Sequence, residues 1–146
     1  MNIQVKFEFV PFEKLGSFAF GETENEFIKK YNIPYSENTG VNGKKIYEKA
    51  GLMFRFDQAA LTQVTADNSL FISEITFNST NINTIDGIKN LLSTGKYIES
   101  RAHYIFLELG VAISKDISKI KDVEWFFFDK SLCKYWLNIH RPVTSW

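Results

Sequence analysis

The side chains best suited to catalysis in this sequence are two histidines and one cysteine. His103 lies in an aromatic, strand-like run, while Cys133 and His140 lie in the C-terminal tail. Histidine is the usual general base near neutral pH, and a cysteine beside a base can act as a nucleophile. Because no further pattern joins these three residues, we expect His103 to be a hydrogen-bonded structural residue. We expect Cys133 to behave as a small buried apolar residue and His140 to lie at the surface.

Patterns that would hold a metal or a phosphate are missing from the sequence. Zinc sites need close pairs of His or Cys ligands, calcium loops are rich in aspartate, and phosphate loops are rich in glycine. Three closely spaced carboxylates, Glu22, Glu24 and Glu26, lie at the start of a predicted helix, where the helix dipole favours negative charge. We therefore predict no cofactor, no metal and no enzymatic activity.

The composition indicates one neutral domain that is rich in aromatic residues. The chain has 146 residues, with 17 basic and 17 acidic side chains, and 16% of its residues are aromatic. This length suits one domain with one main core, and the aromatic content is typical of β-sheet. Because there is no net charge to attract a polyanion, we expect neither nucleic acid nor membrane as a partner. We predict a single domain over residues 1–146.

The first residues have the alternation of a strand instead of the pattern of a secretory signal. Val5, Phe7 and Phe9 alternate with polar residues. No stretch approaches the roughly 18 uninterrupted apolar residues that span a bilayer. Cys133 is the single cysteine, which excludes an internal disulfide. Together these observations favour a cytoplasmic protein.

Capping signals and apolar periodicity predict three helices. Thr23 and Glu26 have the spacing of a capping box, which opens the first helix. The second helix is expected over residues 85–93, with Gly95 just beyond it as a C-terminal cap. A short third helix is expected over residues 131–139, in the apolar tail.

Eight segments have the composition of strands, and residues 36–44 have that of a loop. The predicted strands cover residues 5–9, 46–49, 52–57, 61–65, 70–77, 103–108, 111–114 and 123–128. A helix, a glycine-containing step and a closing aromatic strand occur twice in this order, with Ile28 and Gly51 matched by Ile88 and Gly110. The repetition is either a tandem helix-plus-strands duplication or a chance similarity. We predict an α+β fold in which an antiparallel sheet has helices packed on one face.

Reading the strands with period 2 separates a core face from a second face. Ile105 and Leu107 are assigned to the core face, whereas Tyr104 and Phe106 are assigned to the second face. The second face has more acids than bases and also carries Met, Tyr and Phe, which suits either an interface for a basic protein or an ordinary solvated surface. The candidate partner-binding residues on it are Glu8, Asp57, Glu74, Tyr104, Glu108 and Glu124.

One segment is apolar on both of its sides. Residues 125–128 read Trp-Phe-Phe-Phe, so neither face of this predicted strand is polar. The strand is therefore either central and covered on both faces, or it borders an exposed aromatic patch.

The segment from Phe18 to Pro34 reads Phe-x-Phe-Gly-x-Thr-x-x-Glu-Phe-Ile-x-x-Tyr-x-Ile-Pro. With this segment, a neutral charge and one cysteine, the chain resembles the immunity proteins of bacterial contact-dependent growth inhibition and related polymorphic toxin systems. It is also similar to the tandem helix-plus-sheet architecture of the beta-lactamase inhibitory proteins. The resemblance implies a cytosolic inhibitor that binds one cognate toxin domain, frequently a nuclease, and occludes its active site.

We therefore expect a cytoplasmic immunity protein that binds and neutralises a cognate toxin domain, as a monomer or weak homodimer. Two other classes stay open. The first is a small-ligand pocket or minor enzyme around His103, Tyr104 and Glu108. The second is a structural or assembly subunit that dimerises through the strand at residues 125–128.

Overall fold

The computed structural model describes residues 5–31, 38–39, 44–49, 51–68 and 72–140. Within these residues, thirteen strands form two sheets and three α-helices pack against them, which confirms the predicted α+β class. None of the described helices is long and apolar enough to cross a membrane.

Along the described chain, three groups of strands are each followed by an α-helix. In chain order they are β1 (Val5–Val10), β2 (Lys14–Leu15), β3 (Phe18–Ala19), α1 (Glu24–Tyr31), β4 (Asn38–Thr39), β5 (Lys44–Lys49), β6 (Leu52–Asp57), β7 (Ala60–Asp67), β8 (Ile72–Phe77), β9 (Thr80–Asn81), α2 (Ile85–Ser93), β10 (Ile98–Glu99), β11 (His103–Phe106), β12 (Val111–Ser114), β13 (Glu124–Phe128) and α3 (Cys133–His140). The predicted loop at residues 36–44 contains β4, and its remaining residues lie outside the described ones except for Lys44, which begins β5.

The larger sheet has eight described strands, and each is antiparallel to its neighbours. Their order across the sheet is β10, β11, β12, β13, β7, β6, β5 and β4. The strand predicted at residues 103–108 is shorter in the structure, because the chain turns after Phe106. The antiparallel sheet of the prediction is therefore present, and it has two further short strands at its edges.

A smaller sheet departs from the prediction of one long antiparallel sheet. It has the order β3, β2, β1, β8 and β9, and β1 pairs with β8 in parallel. Its apolar side chains face the larger sheet, where the ring centroid of Phe9 lies 4.8 Å from that of Phe127. In the chain, β1 and β8 are separated by α1 and by the strands β2 to β7. Parallel neighbours require a long connection of this kind.

A threonine side chain caps the N-terminus of both α1 and α2. The backbone N–H of Glu26 donates to Thr23 Oγ1 at 3.3 Å, which confirms the first cap. Helix α2 has the predicted bounds, with the N–H of Gly87 donating to Thr84 Oγ1 at 2.8 Å. Both helices bury their apolar sides in the main core, against one face of the larger sheet.

The repeated order of elements corresponds to two structural units. The first unit is α1 followed by β5, β6 and β7, and the second is α2 followed by β11, β12 and β13. The matched glycines, Gly51 and Gly110, both have positive φ, at 82° and 70°, in the turn before the second long strand of each unit. The last strands of the units, β7 and β13, pair with each other at the centre of the larger sheet.

Strand β13 is central and covered on both faces, so it borders no exposed aromatic patch. Trp125 and Phe127 lie in the main core, while Phe128 is buried on the opposite face. The indole N–H of Trp125 donates to Asn83 Oδ1 at 2.9 Å. This buried hydrogen bond satisfies a polar group that would otherwise destabilise the core.

Candidate protein-binding surface

The larger sheet has two faces with different neighbours. Phe54, Val64 and Phe127 form one row across three strands, and all three are buried under α1, α2 and the smaller sheet. Because successive side chains on a strand point to opposite faces, Arg55 and Phe128 lie on the other side. We call this second side the outer face.

Helix α3 covers one half of the outer face. The ring of Trp136 is 3% exposed and stacks on Phe128, with 5.3 Å between the ring centroids. Its indole N–H donates to Gln63 Oε1 at 3.1 Å. Ile105 and Ala112 belong to the same buried cluster. The prediction of a third helix is confirmed, but this helix packs on the face opposite to α1 and α2.

The half of the outer face beside α3 carries exposed side chains. Met53 is 37% exposed. Tyr135, on the side of α3 toward Arg55, is 43% exposed. Glu124 lies on the same face and is exposed as well. We call this surface the open face and define it by Met53, Arg55, Asp57, Glu124 and Tyr135.

An ordered arginine joins the sheet and the helix within the open face. Arg55 Nε lies 2.9 Å from Asp57 Oδ2, and Nη2 lies 3.2 Å from Oδ1, so the two side chains form a two-pronged ion pair. Thr62 Oγ1 also donates to Asp57. The Arg55 guanidinium lies over the ring of Tyr135, 4.8 Å from the ring centroid. Because these contacts fix the rotamers of Arg55 and Tyr135, a partner that binds here immobilises few free side chains.

Acidic residues meet at one end of the open face. The strand register places Glu124 of β13 directly opposite Asp67 of β7. The Glu124 side chain is exposed there, so a partner can contact its carboxylate. The end of the open face is therefore suited to a basic group.

The structure does not bring the six predicted partner-binding residues together. Asp57 and Glu124 belong to the open face. Glu8 and Glu74 lie on the outward side of the smaller sheet, because their strand neighbours Phe7 and Ile75 point into the core. The smaller sheet packs on the other face of the larger one, so these two acids and the open face are on opposite sides of the protein.

The prediction for β11 assigned its side chains to the wrong faces of the sheet. Tyr104 pairs with Ile113 and packs against the main core, and Phe106 is buried in that core. Ile105 and Leu107 lie instead with the cluster beneath α3. Both sets of side chains are apolar because the strand is covered on both faces, so alternation could not distinguish them.

Glu108 lies in a turn, away from the other predicted residues. The turn joins β11 to β12, and the Glu108 side chain is exposed there. It lines a cleft with Lys96 and belongs to neither face of the larger sheet.

The group His103, Tyr104 and Glu108 does not form one pocket. His103 points toward α3, where its ring meets Phe126 and Trp136 edge-on at 5.0 and 5.3 Å between centroids. Tyr104 points to the other face of the same strand. Burial among these rings lowers the pKa of His103 below its ordinary value.

The environment of Cys133 disfavours the thiolate that a nucleophile needs. Burial raises the pKa of the Cys133 thiol, with a further contribution from the Asp129 carboxylate, so the thiol stays protonated at neutral pH. The side chain of His140 lies outside the described residues. Among the described residues, no three His, Cys, Asp or Glu side chains group as a metal site.

Sequence reasoning missed the contact between Arg55 and Tyr135. The strand containing Arg55 and the helix containing Tyr135 were both predicted, but nothing in the sequence indicated the face on which α3 packs. No protein-family model, curated protein or solved structure matches the chain.

Proposed function

We propose that this protein is a cytoplasmic immunity protein, which binds a cognate toxin domain through the open face and neutralises it by occlusion. The observation that carries the proposal is the ordered contact between Arg55 and Tyr135, on a face that also exposes Met53 and Glu124. Tyrosine, arginine and methionine are enriched in protein interfaces, and tyrosine and arginine supply much of their binding energy.

The position of these residues favours a protein partner over a small ligand. Met53 and Arg55 project from the face of a sheet, and Tyr135 projects from a helix packed on that sheet. Side chains that project from a sheet and a helix in this way are accessible to the surface of another protein. The exposed carboxylate of Glu124 at its end would attract the basic surface that a nuclease presents to its substrate.

The experiment produces the protein together with the domain of a neighbouring gene that is toxic when it is expressed alone. Co-purification of the two proteins and rescue of growth would support the proposal. In the same assay, a Met53→Ala, Tyr135→Ala double variant should lose rescue. A Glu8→Lys, Glu74→Lys double variant, changed on the opposite side of the protein, should retain it.

The outcomes separate the role from the surface. If the wild-type protein neither binds the neighbouring toxin domain nor rescues growth, the proposed role is wrong. If it rescues growth but both double variants do so equally well, the role stands and the open face is not the interface.

A further inference from the structure

Two loops enclose a small cavity at the edge of the second unit, away from the open face. One loop leaves α2, where Thr94 Oγ1 donates to the carbonyl of Leu91 at 2.7 Å and Gly95 has a φ of 71°. The other is the turn between β11 and β12, which ends at Gly110. The cavity between them has a volume of about 190 Å³.

The inner wall of the cavity is apolar. Phe106 and Leu91 are buried at its base, and Phe77 and Leu109 are half-buried beside them. An apolar cavity of about 150 Å³ is large enough to hold a benzene ring. The available space therefore suits one aromatic ring or one branched aliphatic side chain.

Two opposite charges lie at the mouth of this cavity. The exposed side chains of Lys96 and Glu108 line both the cavity and a neighbouring open cleft of about 380 Å³. Within the described part of the chain, no ion pair joins these two side chains. An ammonium and a carboxylate are thus both available to a molecule seated in the cavity.

We propose that this cavity binds a free apolar α-amino acid. The apolar side chain would fill the space beside Leu91 and Phe106. The ligand carboxylate would lie toward Lys96 and the ligand ammonium toward Glu108. A zwitterion satisfies both charges at once, whereas a ligand with one charged end leaves the other protein charge without a partner.

The first test titrates the purified protein with L-phenylalanine and follows backbone amide shifts by NMR. Phenylacetate lacks the ammonium and phenethylamine lacks the carboxylate, so each should bind about two- to fivefold more weakly, the range for exposed charge pairs. Equal binding of all three compounds would overturn the assignment of the charged groups. Tighter binding of N-acetyl-phenylalanine amide than of the free amino acid would show that the site recognises a side chain within a peptide.

The second test changes the site itself. Lys96→Gln and Glu108→Gln should each weaken L-phenylalanine binding, while Lys89→Gln and Glu8→Gln, which alter exposed residues elsewhere, should not. Leu109→Phe should fill the cavity and abolish binding, and its amide spectrum shows whether the variant is folded. If it is not, Leu91→Phe serves the same purpose. No shift with L-phenylalanine or L-leucine in the wild-type protein would overturn the proposal, whatever the result with a toxin.

Discussion

The two halves of the outer face carry different side chains and have different neighbours. Over β11, β12 and β13, the face is largely apolar except for Glu124 at the start of β13, and α3 covers it through Trp136. Over β6 and β7, Met53 and the Arg55–Asp57 pair alternate with core residues, and the face stays accessible beside Tyr135. Because Trp136 and Tyr135 are neighbours in sequence, one helix both completes the core and borders the exposed surface.

The largest effect is expected from removing the side chain that attaches the helix. Trp136→Ala should lower the free energy of unfolding by about 3–5 kcal/mol, because it leaves a large cavity over Phe128 and removes a hydrogen bond to Gln63. Chemical denaturation measures this change. Tyr135→Ala is the matched control and should cost less than about 1 kcal/mol. Equal costs for the two variants would contradict the division of roles within α3.

The second prediction concerns binding, to which Tyr135 is expected to contribute strongly although it contributes little to stability. Tyr135→Ala should weaken binding of the cognate toxin domain by about 2 kcal/mol, roughly thirtyfold, because an ordered aromatic anchor is lost. Leu137→Ala changes a similarly exposed apolar residue of the same helix and should have little effect. Calorimetric titration of the three proteins gives the comparison. A larger loss with Leu137→Ala would move the interface to the other side of α3.

A smaller effect is expected from the charge at the end of the open face. Glu124→Lys should slow association with a basic partner several-fold at low ionic strength, and the difference should shrink as salt is added. Glu8→Lys makes the same charge change on the opposite side of the protein and should leave the rate nearly unchanged. Stopped-flow or surface-binding kinetics at two salt concentrations would show this, and equal slowing by both variants would indicate only a net-charge effect.

The smallest effect is expected from protonation of His103 beneath α3. Its pKa is lowered in the folded protein, so the unfolded chain binds the proton more tightly. Stability is therefore retained above the ordinary histidine pKa, near 6.5, and declines as the pH falls through that value. Denaturation midpoints at neutral and mildly acidic pH, compared with those of His103→Gln, isolate this contribution. A variant with the same pH dependence as the wild type would exclude it.

Much of the fold could be predicted because its signals are local. The bounds of α2 follow from an apolar stripe of helical spacing, and those of β6 follow from strict alternation. The two-residue strands β2, β3, β4, β9 and β10 were missed, since two residues have no measurable period. The parallel pairing of β1 with β8 was missed because the alternation of apolar and polar residues in a strand does not indicate which strand pairs with it.

The candidate surface was less predictable than the fold. Asp57 and Glu124 lie on one face of the larger sheet, and the strand of Asp57 alternates clearly, whereas the strand of Glu124 is apolar on both sides beyond that residue. Tyr104 was misassigned since β11 is apolar on both sides. The role of Tyr135 depends on where α3 packs, and the pattern of an amphipathic helix shows which side is buried without showing what buries it.

The central pairing of β7 with β13 also affects how the chain folds during its synthesis. During synthesis, β7 is complete well before β13 leaves the ribosome, so the first unit presents an unpaired strand containing Val64 and Ala66. Such an edge can pair with strands of other nascent chains. Because the partner strand is distant in sequence, its arrival is also a slow step. Aggregation during expression should therefore depend on the rate at which the second half is translated.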